Sequence, residues 1–137
     1  MSLINLLPQK IEEELRSKSL LKVISGLNNF DAQSVKTIVE AAALGGADLV
    51  DIACKPELVD LALKHSSLHV CVSSVVPHSF LDSVNAGASL IEIGNYDTFY
   101  EKGINFSDEK VLNITKETRG FITKCSLISN CSSYYAN

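Results

Sequence analysis

The chain has 137 residues and a mass of 14.9 kDa, with 12 Lys and Arg against 16 Asp and Glu, a net charge of −4 and a pI of about 5.3. At 46% hydrophobic and 20% charged residues, it has the composition of a folded globular domain and not of a disordered chain. Its acidity excludes the basic footprint of a nucleic-acid binder, and no apolar run reaches the roughly 18 residues of a membrane span, so neither partner is expected.

Ile4, Leu7, Ile11 and Leu15 recur at helical spacing, with Pro8 near the start, and predict a helical segment within residues 1–21. Glu12, Glu13 and Glu14 and the lack of a long apolar stretch fit neither a signal peptide nor a transit peptide, which points to a reducing compartment. Cys54, Cys71, Cys125 and Cys131 are then expected as free thiols, and their spacing does not suit zinc.

From Lys22 onward one grammar recurs. A strand begins at Lys22 and ends in Gly26-Leu27-Asn28-Asn29; Asp31 caps a helix carrying Val35, Ile38, Val39 and Ala42, stopped by Gly45-Gly46. Residues 48–53 (DLVDIA) form the second strand, and Pro56 opens the helix behind it. Residues 69–75 (HVCVSSV) form the third, followed by a helix from Pro77 to Gly87. The fourth strand is 89–94 (SLIEIG). A long loop, 95–106, then leads to a helix capped by Ser107, and 124–129 (KCSLIS) starts a fifth strand. The segments GGADLVDIA and AGASLIEIG, at 45–53 and 86–94, are repeats of one another. Short strands alternating with helices make a parallel α/β sheet.

Sidedness selects the architecture. Ile24, Val50, Ile52, Val70, Val72, Ile91 and Ile93 fall on one apolar face by the alternation rule, and Ser25, Leu49, Asp51, Cys71, Ser73, Leu90 and Glu92 on the other. One greasy and one mixed face fit a TIM-type barrel better than a doubly wound sheet. A complete barrel needs at least about 200 residues. The expectation is therefore the N-terminal half of a barrel, four units and the start of a fifth, over residues 22–137 as a single domain with its N-terminal helix. Its open inner face calls for cover by a second copy, a partner chain or further chain of its own.

KVISGLNNF (22–30), GGADLVDIA, VCVSSVVP (70–77), EIGNYDTFYEKGINFS (92–107) and TKETR (115–119) together resemble the hypothetical chloroplast reading frame family twenty-three, a ycf-type family of algal plastids and cyanobacteria. The resemblance implies a TIM-like barrel in a plastid stroma, with no established activity and hence no inherited catalytic residues. Members of that family are about twice as long. The pattern departs from theirs after KCSLIS, where NCSSYYAN reads as a premature end.

Asp51 and Glu92 occupy equivalent repeat positions on the mixed face, on the order of 10 Å apart with one strand between them. There they could serve as general acid and base, or be paired with Lys22 or Lys55. Lys55, placed just after the second strand, could act as a desolvated amine or simply be an exposed first-turn lysine. Ser25, Asn28, Asn29, Ser73 and Ser74 are loop and strand-end groups suited to anchoring a small ligand or to making turns. The loop carrying Asn95, Tyr96, Asp97, Tyr100, Glu101 and Lys102 follows a strand C-terminus and is the preferred binding surface. His65, His69 and His78 have no ligand spacing, and without a GxGxxG or phosphate-loop motif the sequence names no cofactor and no metal. Three functions compete: an enzyme or binding protein for a small, phosphorylated metabolite; a non-catalytic interaction or regulatory module; and a shortened product without independent activity.

Overall fold

The computed structural model describes residues 7–94 and 96–129. Ile4, Asn95, Cys131 and the 130–137 tail therefore lie outside the described residues. The elements run α1 (Gln9–Ser17), β1 (Lys22–Ile24), α2 (Ala32–Leu44), β2 (Leu49–Ala53), α3 (Pro56–His65), β3 (His69–Ser73), a 3₁₀ turn (Pro77–Ser79) continuing into α4 (Phe80–Asn85), β4 (Leu90–Ile93), α5 (Asp97–Tyr100), α6 (Asp108–Phe121) and β5 (Ser126–Ser129).

The five strands are all parallel and stand in sequence order, β1-β2-β3-β4-β5. Each crossover helix from α2 onward buries its apolar stripe against Val50, Ile52, Val70, Val72, Ile91 and Ile93, in one continuous core. A doubly wound sheet would reverse strand order and carry helices on both faces. Sequential order with the crossovers on one face is the barrel arrangement, here with five strands of it. No helix among the described residues is long and apolar enough to cross a membrane.

The local signals act as chemistry requires. The Asp31 carboxylate accepts the Ser34 amide (2.6 Å) and the Ser107 hydroxyl accepts the Lys110 amide (3.2 Å), so both helices start on side-chain caps. The repeated segments, Gly45-Gly46-Ala47 and Ala86-Gly87-Ala88, make the same helix stop twice. Gly46 (φ 77°) and Gly87 (φ 116°) turn the chain in the left-handed region, and the amides of Ala47 and Ala88 reach back to the carbonyls of Ala42 and Ser83. At Gly87 a side chain would also meet Leu63, 2.9 Å from the position of its Cβ.

The inner face is layered. Leu49, Cys71 and Leu90 form an apolar floor under Ile11 of α1, with Leu7 and Leu20 packed against it. Leu15, expected to share the buried stripe of α1, is 49% exposed instead. Two residues further along the same strands stand Asp51, Ser73 and Glu92, all buried. Strand β1 corrects the expected faces: Lys22 pairs with Leu49 and Ile24 with Asp51, so Ile24 lies on the inner face and Val23 toward the helices.

This face assignment has a direct check. Ile91→Ala, at a fully buried position, should cost about 2–5 kcal/mol in urea unfolding. Ile24→Ala, at a half-exposed one, should cost less than about 1 kcal/mol. Equal losses would contradict the placement of Ile24.

Candidate functional site

Lys22 is the first residue of β1, level with the apolar floor, and its four-carbon stem carries the ammonium up to the polar layer. There Nζ donates to Asp51 Oδ2 at 3.1 Å and to Glu92 Oε2. The Ser73 hydroxyl donates to Asp51 Oδ1 at 2.6 Å. Cys71 lies on the strand between the two acids, and its sulfur and a carboxylate oxygen of each acid all fall within 4.8 Å of one another. The expected separation of Asp51 and Glu92 is thus corrected: their Cα atoms are held apart by β3, but the carboxylates converge over Cys71 toward the shared ammonium.

Burial sets the electrostatics. Asp51 is raised from the ordinary carboxylate value, chiefly by loss of water, which the attraction of Lys22 and the Ser73 hydrogen bond only partly offset. For Lys22 burial acts downward, but the charge of Asp51 and the Glu92 hydrogen bond outweigh it, and its value is raised. A simple ion pair would lower the acid; burial decides here, because Asp51 is 1% exposed while the Lys22 side chain keeps 22%. The Cys71 thiol is pushed well up by burial and then by Asp51, so it stays protonated at neutral pH. The Asp51–Cys71–Glu92 group has metal-like spacing, but the cation between its carboxylates is the protein's own ammonium.

A cleft of about 360 Å³ opens beyond this layer, lined by Leu27, Asn28, Phe30, Cys54, Ser73, Ser74, Val75, Val76, Ser79 and Phe99. These residues come from the end of β3, the segments that follow β1, β2 and β3, and α5, at the end where barrel proteins build their sites. Ser73 joins the two parts, touching Asp51 and lining the cleft.

The other sequence candidates divide clearly. Lys55 sits at the exposed N-cap of α3 with no side-chain cap bond, so Lys22 and not Lys55 meets the acids. The Asn29 amide donates to the hydroxyls of Ser25 (2.9 Å) and Ser34 (3.0 Å), which fastens the first loop to α2. Ser74 accepts from the Val76 amide and from Ser79, holding the third loop, while Asn28 is exposed on the cleft wall. Residues 96–102, expected as part of a loop and binding surface, are partly folded into the core. Tyr96 is buried against Phe106 (ring centroids 4.9 Å apart), Phe99 meets Phe106 edge-on, and Tyr100 is half-buried, while Asp97, Glu101 and Lys102 are exposed. Residues 97–100 form α5. Phe30, Cys54 and Phe99 line the cleft without having been singled out; strand-end position is the signal that could have found them. The described cysteines Cys54, Cys71 and Cys125 are free.

By fold and site, the chain is a parallel barrel-type sheet whose inner face carries a buried lysine–dicarboxylate centre. A family model described as "Protein of unknown function (DUF561)" matches residues 6–131, and the chain belongs to that family. Its curated relatives include the uncharacterized protein ycf23 of Cyanophora paradoxa, 47% identical over 116 residues that cover 82% of this chain and 47% of the relative. The protein of the same name from Antithamnion sp. is 38% identical, with 85% and 42% covered. The chain thus spans less than half the length of these relatives. Among solved structures, it is similar to a dihydropteroate synthase from Xanthomonas albilineans in complex with 7,8-dihydropteroate, at 14% identity and a TM-score of 0.48, covering 86% of this chain and 60% of that one.

Removing the central cation tests the geometry. Lys22→Met removes the ammonium that two buried carboxylates share and should lower stability by about 3–5 kcal/mol at neutral pH. The loss should shrink as pH falls through the raised range of Asp51, since proton uptake removes the uncompensated charge. Urea midpoints of both proteins at neutral and mildly acidic pH read this. A small, pH-independent loss would mean that the carboxylates are solvated.

Proposed function

We propose that the protein is a barrel-type enzyme or binding protein for a small molecule, working in the plastid stroma. The ligand enters the cleft beyond Ser73 and meets the Lys22–Asp51–Glu92 centre. The observation that carries this reading is the buried centre itself. Two carboxylates and one ammonium taken out of water cost several kcal/mol each before pairing, and apolar side chains would fill that layer more cheaply. Groups of this kind, facing a cleft at the C-terminal end of parallel strands, support chemistry or recognition there. Asp51, with its raised affinity for a proton, suits a proton donor or acceptor; Lys22 holds its orientation and Ser73 extends it toward the cleft. The plastid location is supported by the naming of the relatives as plastid reading frames.

The lining also speaks to ligand class. Among the described residues it carries Leu27, Phe30, Val75, Val76 and Phe99 and no lysine or arginine, and in the centre beneath it two carboxylates share the Lys22 ammonium. A neutral or cationic molecule with a flat apolar body fits this better than the phosphorylated metabolite suggested by the sequence.

Thermal-shift and calorimetric titration of this chain, and of the longer Cyanophora paradoxa relative, against matched neutral, cationic and phosphorylated aromatic compounds would test the reading. Binding by a neutral or cationic member is expected, and should fall at least about tenfold in the Asp51→Asn, Glu92→Gln double variant while its circular dichroism is retained. Undiminished binding in the folded variant would overturn the role of the centre, and preference for phosphorylated compounds would overturn the ligand class.

A further inference from the structure

The inner face of the sheet holds a second cavity, at the opposite end from the cleft. It has a volume of about 190 Å³ and lies between α1 and the N-terminal ends of the strands. Its walls are aliphatic: α1 contributes Ile11 and Leu15, the segment after it Leu20, and the sheet Leu49, Leu90 and Ile128. Lys22 and Ser126 are the polar residues of the lining, which shares no residue with the cleft.

One atom is out of keeping with an apolar core. Pairing with Leu90 puts Ser126 on the inner face, where it borders the cavity and is 5% exposed. Its hydroxyl has no hydrogen-bond partner among the described residues. A buried polar group left unpaired in this way costs about 1–3 kcal/mol. A water would need about two to four polar partners to remain there. The other polar group of the lining, the Lys22 ammonium, already donates to Asp51 and Glu92. The Ser126 hydroxyl therefore suits a partner that brings its own apolar body.

Charge and size narrow the class. No carboxylate lines the cavity among the described residues, and the Lys22 ammonium is engaged one layer up. An ion placed there would lose its water without a free counter-charge. An engineered apolar cavity of about 150 Å³ takes up benzene. A volume of about 190 Å³ thus suits one ring with a small substituent. A ring also gives up less rotational freedom on binding than an alkyl chain of similar size.

We infer that this cavity is a binding site for a neutral, one-ring molecule bearing a single hydroxyl or carbonyl group. The ring lies against Leu49 and Leu90 under α1, and the polar group bonds to the Ser126 hydroxyl. Leu15 and Ile128, each partly exposed, form the rim. The site stands apart from the cleft and does not rest on the ligand reading given for it.

Titration of this chain with p-cresol, toluene and benzoate, followed by methyl NMR, tests the assignment. Saturable binding of p-cresol should shift the methyl signals of Leu49, Leu90 and Ile128 and leave Val75 and Val76 of the cleft unmoved. Toluene, which lacks the hydroxyl, should bind about fivefold more weakly, and benzoate should not bind. Ser126→Ala removes a hydroxyl that has no partner in the free chain. Its thermal midpoint should therefore hold or rise, while p-cresol affinity falls to that of toluene. Leu15→Trp, at the half-exposed rim, should keep its circular dichroism and weaken both neutral ligands at least about tenfold. Any of four results would overturn the inference: no saturable binding of p-cresol, toluene or benzoate bound as tightly, shifts confined to the cleft, or p-cresol affinity indifferent to either substitution.

Discussion

The rest of the inner face depends on one ammonium group. Asp51 and Glu92 lie on the inner face of β2 and β4, and the Lys22 ammonium offsets the cost of burying both. The bridge fixes three strands at once, and Ser73 from β3 adds a fourth. It also fixes register. A one-residue slip of β2 or β4 would turn its carboxylate into the helix-side core, where Val50, Ile52, Ile91 and Ile93 leave no room for a charge.

Around that constraint the chain divides its inner face by height. At the N-terminal end of the strands, Leu49, Cys71 and Leu90 are sealed by α1. At the other end, the loops after the strands surround the cleft, and most of their polar groups hold the loops themselves: Asn29 clasps Ser25, and Ser79 clasps Ser74. The polar layer lies between this apolar floor and the cleft. Of the polar layer, Ser73 is the residue that also lines the cleft.

The edges of the sheet carry the opposite message from its centre. At β1 and β5 half-exposed apolar residues, Ile24 and Ile128, face inward, and grooves flank β5 on both sides. An exposed parallel edge of this kind is a pairing surface. The family to which the chain belongs has members more than twice as long as the stretch matched here.

Much of this was written locally. Alternation placed Asp51 and Glu92 on the mixed face with Leu49, Cys71, Ser73 and Leu90, and the repeated Gly-Ala at 46–47 and 87–88 marked two helix stops that share the same hydrogen bonds. Period and turn chemistry act over a few residues, so sequence alone determined the order of elements, the barrel-type sheet and the family. It could not rank Lys22 above Lys55, because a long side chain meets its partner through space, and 29 and 70 positions separate Lys22 from the acids it joins. It misplaced Ile24 because a three-residue strand offers too little alternation to set its own register; pairing with β2 decides that. It read 95–106 as a long polar-aromatic loop because the contacts that fold Tyr96 and Phe99 onto Phe106 depend on the chain turning back on itself. Which residues lie on a face follows from local geometry, whereas which of them touch was settled only when the strands were laid side by side.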